Sequence, residues 1–456
     1  MYLPGNMPMT EPLDRFATTL IDVALRAGAD AADAIVLSSG SMSVDVRGGV
    51  LEQAERSEST EVGLRVLIGR RQACVSASDT RDETFAAMAE RAVAMAKEAP
   101  EDPYVGLADP EQLARDWDIA ALELADPAPE PAPADLEEDA RRAEAAALAV
   151  PGISMVQSAG AGYGTQAVHL AASNGFSAGY QRTSRGTSCV AITGSGTAME
   201  RDYFGDSRVF QSDLMAPEEI GRIAAERTVA RAGARKPRTG AFPVLYDERI
   251  AAGLIGHLLS AINGTTVARG SGWLRDKLGE QVLPRGLSIT ENPHRTRVGG
   301  SRPFDAEGLP TRPRDLVRDG VLQSWVLDLS TARKLGMEST ANAMRGTSSP
   351  PAPGTGNIAL TQGNRTREEL LQEIGTGLLV TSLLGASINP TSGDYSRGAS
   401  GFWVEGGQIA YPVNECTIAG NLRDMLLRMT PANDARAHLS NVVPSLLVEG
   451  LTIAGE

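Results

Sequence analysis

Cysteine, histidine and aromatic residues are all scarce in this chain. Among 456 residues there are three Cys and four His, and 4% are Phe, Trp or Tyr. Cys74, Cys189 and Cys416 stand far apart, as do His169, His257, His294 and His438. No two of these residues have the short spacing of a closed zinc site, so no local motif predicts one. An odd, sparse cysteine count excludes a disulfide scaffold and fits a reducing compartment. No apolar run approaches the roughly 20 residues of a bilayer-spanning helix. A basic excess is missing too. Forty-three Lys and Arg face 57 Asp and Glu, a net charge of −14. That argues against nucleic acid or an anionic membrane as the main partner. The opening residues, MYLPGNMPMTEPLDRF, lack a basic segment followed by an apolar one. A cytoplasmic protein is therefore expected. There is no G-x-S-x-G elbow, no Walker A loop and no complete G-x-G-x-x-G.

Glycine, by contrast, is plentiful at 48 residues. Many glycines with few aromatics predict turns and β-structure. The length allows two or three domains with real cores. After a loose lead-in over 1–11, apolar periodicity predicts helices at 13–27 and 81–97. Between them lie short strands, with turns at Gly48-Gly49 and Gly69-Arg70. Residues 126–134, DPAPEPAPA, read as a linker. Asp135 is the expected cap of a helix over 136–149. Strands follow at 153–158, 166–172, 177–182 and 188–193, with a hairpin signal at Asn174-Gly175. A helix over 217–232 closes this part. Helix, four strands, helix thus occurs twice, at 12–98 and 135–232. This is read as an internal duplication, with two unrelated subdomains as the alternative. The expected division is 12–125, a linker at 126–134, 135–232, and a β-rich domain over 233–456. The basic connector 231–239, RAGARKPRT, is expected to be a solvated linker.

The most informative stretch is PVLYDERIAAGLIGHLLSAING, residues 243–264. Residues 244–246 read as a strand, and Asp247 as an N-cap with Glu248 in the first turn. Ile250, Leu254, Leu258 and Ile262 recur every four residues, so an amphipathic helix follows. Asn263-Gly264 is expected to end it. His257 lies at the edge of the apolar stripe. It is either a boundary histidine with one hydrogen-bond partner or a metal-ligand position. A helical metal site needs a second ligand and usually a carboxylate base nearby. Ala252 and Gly253 supply neither.

This segment resembles the C-terminal domain of the TldD/TldE (PmbA) peptidase family. In the TldD-type subunit the helix carries HExxxH, its last His within an Ile-Gly-His triplet. Here Ile255-Gly256-His257 matches the triplet, Ala252 stands for the first His, and Gly253 for the Glu. That departure is the TldE/PmbA pattern, with His257 a relic ligand position. GSRPFDAEGLPTR (300–312) resembles a turn shared by both subunit types. Its Asp305 and Glu307 could form an acid/base couple, but the preferred reading is that they hold a loop, Gly308 supplying a positive φ. The longest match is 392–425. There Asp394, Tyr395 and Arg397 are the candidate substrate-binding residues, followed by small residues suited to close approach of a peptide strand. Arg397 could instead pair with Asp394. The TldD-type third ligand, a Cys near the C-terminus, has no counterpart in HLSNVVPSLLVEGLTIAGE, and Cys416 reads as a small core residue.

The resemblance runs from residue 13 to 456. It implies an α+β fold, with a duplicated helix–strands–helix region followed by a domain rich in antiparallel strands. It implies a heterodimer with a TldD-type subunit that carries the zinc, acting on unfolded or leader peptides held extended in a chamber. This chain would have no catalytic residue and no cofactor of its own. Family proteins are also linked to peptide-antibiotic maturation and gyrase modulation. Two other readings stay open. One is a stand-alone hydrolase using Asp305, Glu307 or Ser400, and the other is a non-enzymatic peptide-binding homodimer.

Overall fold

The computed structural model describes residues 10–455, so most of the expected lead-in lies outside the described residues. The first repeat is α1 (Thr10–Arg26), β1 (Ala31–Arg47), β2 (Val50–Ile68), β3 (Arg71–Ala77) and α2 (Asp82–Glu98). The second is α3 (Pro133–Leu148), β4 (Ile153–Ala172), β5 (Ser177–Thr193), β6 (Glu200–Arg208) and α4 (Pro217–Ala230). Each repeat has three strands, not four. The separate short strands expected within each repeat fuse into strands of 17 to 20 residues. Strand β6 was not anticipated. Asp135 does not cap α3. The helix starts at Pro133, and the Asp135 carboxylate accepts the Ala132 N–H from within the first turn.

The two repeats share one antiparallel sheet of order β3-β2-β1-β4-β5-β6. β1 and β4 pair at its centre from Asp33↔Ala172 to Val46↔Ala159, so the repeats are related by an approximate twofold there. One face carries the helices. Leu20, Ala24, Phe85 and Ala92 pack on Val36, Leu64 and Val66 of the first half. Ile220 and Ala224 pack on Ala159, Cys189 and Ala191 of the second. The turns are local and conform to their sequence. Gly48 and Gly49, both at positive φ, join β1 to β2 in two residues.

After the connector come β7 (Gly240–Tyr246), α5 (Glu248–Ala261) and α6 (Gly264–Ala268). A small sheet and its surroundings follow. These are β8 (Ile289–Glu291), β9 (Arg314–Arg318), β10 (Val321–Leu322), α7 (Leu329–Leu335), β11 (Ala343–Met344), β12 (Ala352–Pro353) and β13 (Ile358–Leu360). Then come α8 (Arg367–Ile374), β14 (Gly377–Ile388), β15 (Asp394–Glu405), β16 (Gln408–Asn421), α9 (Leu422–Leu427), β17 (Met429–Pro431), β18 (Asn441–Val442) and β19 (Leu446–Ala454). The large sheet runs β16-β15-β14-β7-β19-β17, and β16 also pairs with β19. Five strands therefore close into a barrel, mostly antiparallel, with β7 and β14 parallel. Closure removes the sheet edges. The inward residues Val244, Tyr246, Trp403 and Ile418 form one core with Leu254, Ile255 and Leu258 of α5.

Asp247 caps α5 by accepting the Arg249 N–H. Asn263 does not end that helix. Ile262 is its C-cap, and the Asn263 carboxamide accepts the Thr265 N–H to start α6. The connector is not freely solvated either. Arg235 stacks 3.7 Å over Tyr411, Lys236 meets Glu415 at 3.7 Å, and Arg238 meets Glu405 at 3.3 Å. Three guanidinium and ammonium groups thus strap it onto the barrel. Among the described residues, no helix is long and apolar enough to cross a membrane.

Candidate functional site

A cleft of about 1080 Å³ opens between β5 and β6 of the first sheet and β14, β15 and α5 of the barrel domain. Helix α5 turns its less apolar face toward it. Positions 249, 253 and 257 lie four apart and so share one side of the helix. Arg249 and Gly253 line the cleft. A Cβ built on Gly253 or Gly256 would meet nothing within 4 Å, so this part of the helix surface is bare backbone. Ala252 is partly buried against the barrel core.

His257 sits edge-on to Tyr395, with ring centroids 5.9 Å apart. It hydrogen-bonds to no described residue. Burial, and then the nearby Arg397 charge, hold its imidazole below its ordinary value, so it is neutral at pH 7. Tyr395 is 3% exposed and packs in the barrel core beside Tyr246. The structure thus brings Tyr395 and Arg397 together with His257. It leaves Asp394 apart. In a strand, residues three apart point to opposite faces, and Asp394 bonds to Ser392 and Asn421 instead of Arg397.

Arg397 has no ion pair or hydrogen bond among the described residues, and its Nε is buried without a partner. Two neighbouring arginines of the cleft are paired with carboxylates. Arg249 lies 3.2 Å from Asp202 and 3.0 Å from Asp247. Arg231 lies 3.5 Å from Glu200 and 3.8 Å from Asp202, and donates to Ser400 Oγ at 3.1 Å. Arg231, read from sequence as part of a solvated linker, is a wall of the cleft. Nothing local in RAGARKPRT marks it, because its partners lie on β6 and β15.

Ser400 is buried, and Arg231 donates to it. No described histidine hydrogen-bonds to it. His169 bonds to Ser177, and His294 to Thr311. His438 lies 3.4 Å from Asp206. Asp305 and Glu307 lie elsewhere, in a buried loop. Asp305 accepts the N–H groups of Glu307, Leu309 and Ala343 at 2.9, 3.0 and 3.1 Å. Glu307 accepts the Leu329 N–H at 2.8 Å. Gly308 has φ +82°, and a Cβ there would strike the Phe176 ring. Burial pushes Asp305 up to about 6, against the pull of its N–H donors. Burial, Asp305 and Asp328 push Glu307 up as well. Cys416 is buried, and burial pushes its thiol up to about 11, so it is a protonated core residue at pH 7. Among the described residues, no group of three or more His, Cys, Asp or Glu is placed to hold a metal ion.

Three family models match the chain. They are the PmbA/TldA metallopeptidase domain 1 over 32–96, the central domain over 126–232, and the C-terminal domain over 239–455. The chain is 38% identical to Metalloprotease PmbA of Escherichia coli O157:H7 over 448 residues, covering 97% of this chain and 96% of that one. A Bacteroides thetaiotaomicron structure, named for a proposed role as a modulator of DNA gyrase, superposes with a TM-score of 0.90 at 26% identity. It covers 98% of this chain and 100% of that one. TldE from Thermococcus kodakarensis shares the fold, with a TM-score of 0.83 at 22% identity over 96% of this chain and 99% of that one. With all three domains matched in order and 38% identity along 97% of its length, the chain belongs to the PmbA/TldD metallopeptidase family, on the PmbA/TldE side.

Proposed function

We propose that this chain is the TldE/PmbA-type subunit of a cytoplasmic two-chain peptidase, in which a TldD-type partner carries the zinc. The observation that carries this reading is the cleft face of α5. A metallopeptidase needs a Lewis acid, an activated water and a base. The residues present do not fit a zinc ion. His257 is the one ligand-type side chain on that stretch of helix, Ala252 and Gly253 contribute no ligand atom, and the Arg397 charge next to His257 opposes a cation. Yet the cleft itself is complete, with a closed barrel on one side and a continuous sheet on the other. A domain that keeps its surfaces without a metal set is best explained by a binding and walling task. Its work is to hold an unfolded or leader peptide extended, using Arg397 and the neighbouring strands, while the partner supplies the chemistry.

The test is a peptidase assay on an unfolded peptide with this chain alone, a TldD-type chain alone, and the two mixed. Activity is expected only in the mixture. Chelator-insensitive activity from this chain alone would favour a stand-alone hydrolase. Full activity from the TldD-type chain alone would remove the reason for the pairing.

A further inference from the structure

The charges of the cleft do not balance locally, and the imbalance has a position. Arg249 and Arg231 are neutralised by Asp202 and Glu200, and Arg201 reaches Gln157 at 3.4 Å. Arg397 is left with no carboxylate and no acceptor among the described residues. A buried guanidinium donor without a partner is costly. A second orphan lies in the same wall. Thr381 is 6% exposed, and its hydroxyl is buried with no partner. It sits at the break in the β14–β15 register between Val380 and Ser382, where a bulge gives it no opposite residue.

A guanidinium fork and a hydroxyl together suit a carboxylate. They suit a phosphate less well, because Glu200 and Asp202 line the same cleft, and Arg201, which also has no carboxylate partner among the described residues, is already hydrogen-bonded to Gln157. Large apolar side chains at the rim stand open. Met199, Tyr203 and Leu384 are 52%, 62% and 68% exposed. We propose that the cleft receives the carboxy-terminal residue of a peptide, with Arg397 pairing the carboxylate, Thr381 donating to it, and the apolar rim taking the terminal side chain. This rests on the reading that the cleft holds peptides, and adds which end enters and what captures it.

The experiment uses the full chain and a fluorescein-labelled Ala-Ala-Ala-Leu-Phe in two forms, free acid and C-terminal amide, with binding read by anisotropy. The acid is expected to bind at least about tenfold more tightly than the amide. Arg397→Gln should erase that preference, and Arg397→Lys should keep part of it. Thr381→Val should weaken the acid a few-fold and spare the amide. Acid and amide within twofold on the wild-type chain, or a preference that survives Arg397→Gln, would overturn the proposal. If Arg397→Gln does not fold, an acid preference unchanged in Thr381→Val overturns it instead. Displacement of the acid by inorganic phosphate more readily than by acetate would also overturn it, in favour of a phosphate site. Loss of acid preference with a peptidase-active mixture would sink this inference alone. An inactive mixture with the preference intact would sink the pairing instead.

Discussion

Arg345, from the barrel domain, forms a fully buried ion pair with Asp33 of β1 in the first sheet. The same carboxylate takes Arg65 of β2, whose Nε lies 2.8 Å away. One acid thus holds a guanidinium from each side of the boundary between the two parts of the molecule. Nearby, Gly63 of β2 lies so close to Thr347 that a Cβ would come within 2.2 Å of its carbonyl oxygen.

Asp33→Asn should therefore be strongly destabilising. Removing one partner from a buried ionic group costs about 3–5 kcal/mol, because the other charges stay buried. The pH dependence has a definite sign. Burial alone would raise the Asp33 pKa, but Arg65 and Arg345 outweigh it and hold the carboxyl below 3.8. A depressed carboxyl contributes stability that is fully present above its unfolded value and lost as pH falls through the folded one. Urea denaturation of wild type and variant at pH 7 measures the loss. Coincident curves would mean the boundary is held by something else.

Asp305 and Glu307 act in the opposite direction. Both carboxyls are raised in the folded chain, first by burial. The folded state then binds protons more tightly than the unfolded one, so their contribution is present at low pH and is lost as pH rises, for Asp305 from about 4 through about 6 and for Glu307 from its ordinary carboxyl range upward. Glu307→Gln should flatten the decline of stability between pH 4 and 7 and raise stability at pH 7. An unchanged slope would show that Glu307 titrates alike in the folded and unfolded chain.

Two glycines should respond oppositely to alanine. Gly63→Ala forces the Thr347 backbone away and should cost about 2 kcal/mol by overpacking. Gly253→Ala fills open space on a helix and should add up to about 1 kcal/mol. Denaturation midpoints of the two variants test both signs at once. A destabilising Gly253→Ala would mean that the bare helix face is itself packed.

Purified alone, the chain should hold well under one equivalent of zinc after chelator dialysis, since one histidine binds the metal too weakly. Elemental analysis decides this, and stoichiometric metal would overturn the reading of α5. In the reconstituted complex, His257→Ala should leave peptidase activity within a few-fold, roughly 1 kcal/mol. A hundredfold loss with fold and assembly intact would return His257 to the chemistry.

What the sequence determined by itself is local. Asp247 caps α5, Thr366 caps α8, Gly48-Gly49 turns a hairpin, and Asn174-Gly175 turns another, each through contacts within a few residues. The family pattern in residues 255–257 was legible for the same reason, since ligand spacing on a helix is a matter of adjacent turns. The tertiary structure decided the rest. The middle of β1 around Ser38–Ser41 carries no apolar alternation, yet it is strand because β2 and β4 pair with it on both sides. Asn263 follows one helix and caps the next, a choice made by where the chain turns. Arg231 became a cleft wall through partners on β6 and β15. Asp394 and Arg397, three residues apart, were separated by the strand's alternation, and the unpaired Arg397 charge exists only because folding placed every described carboxylate elsewhere.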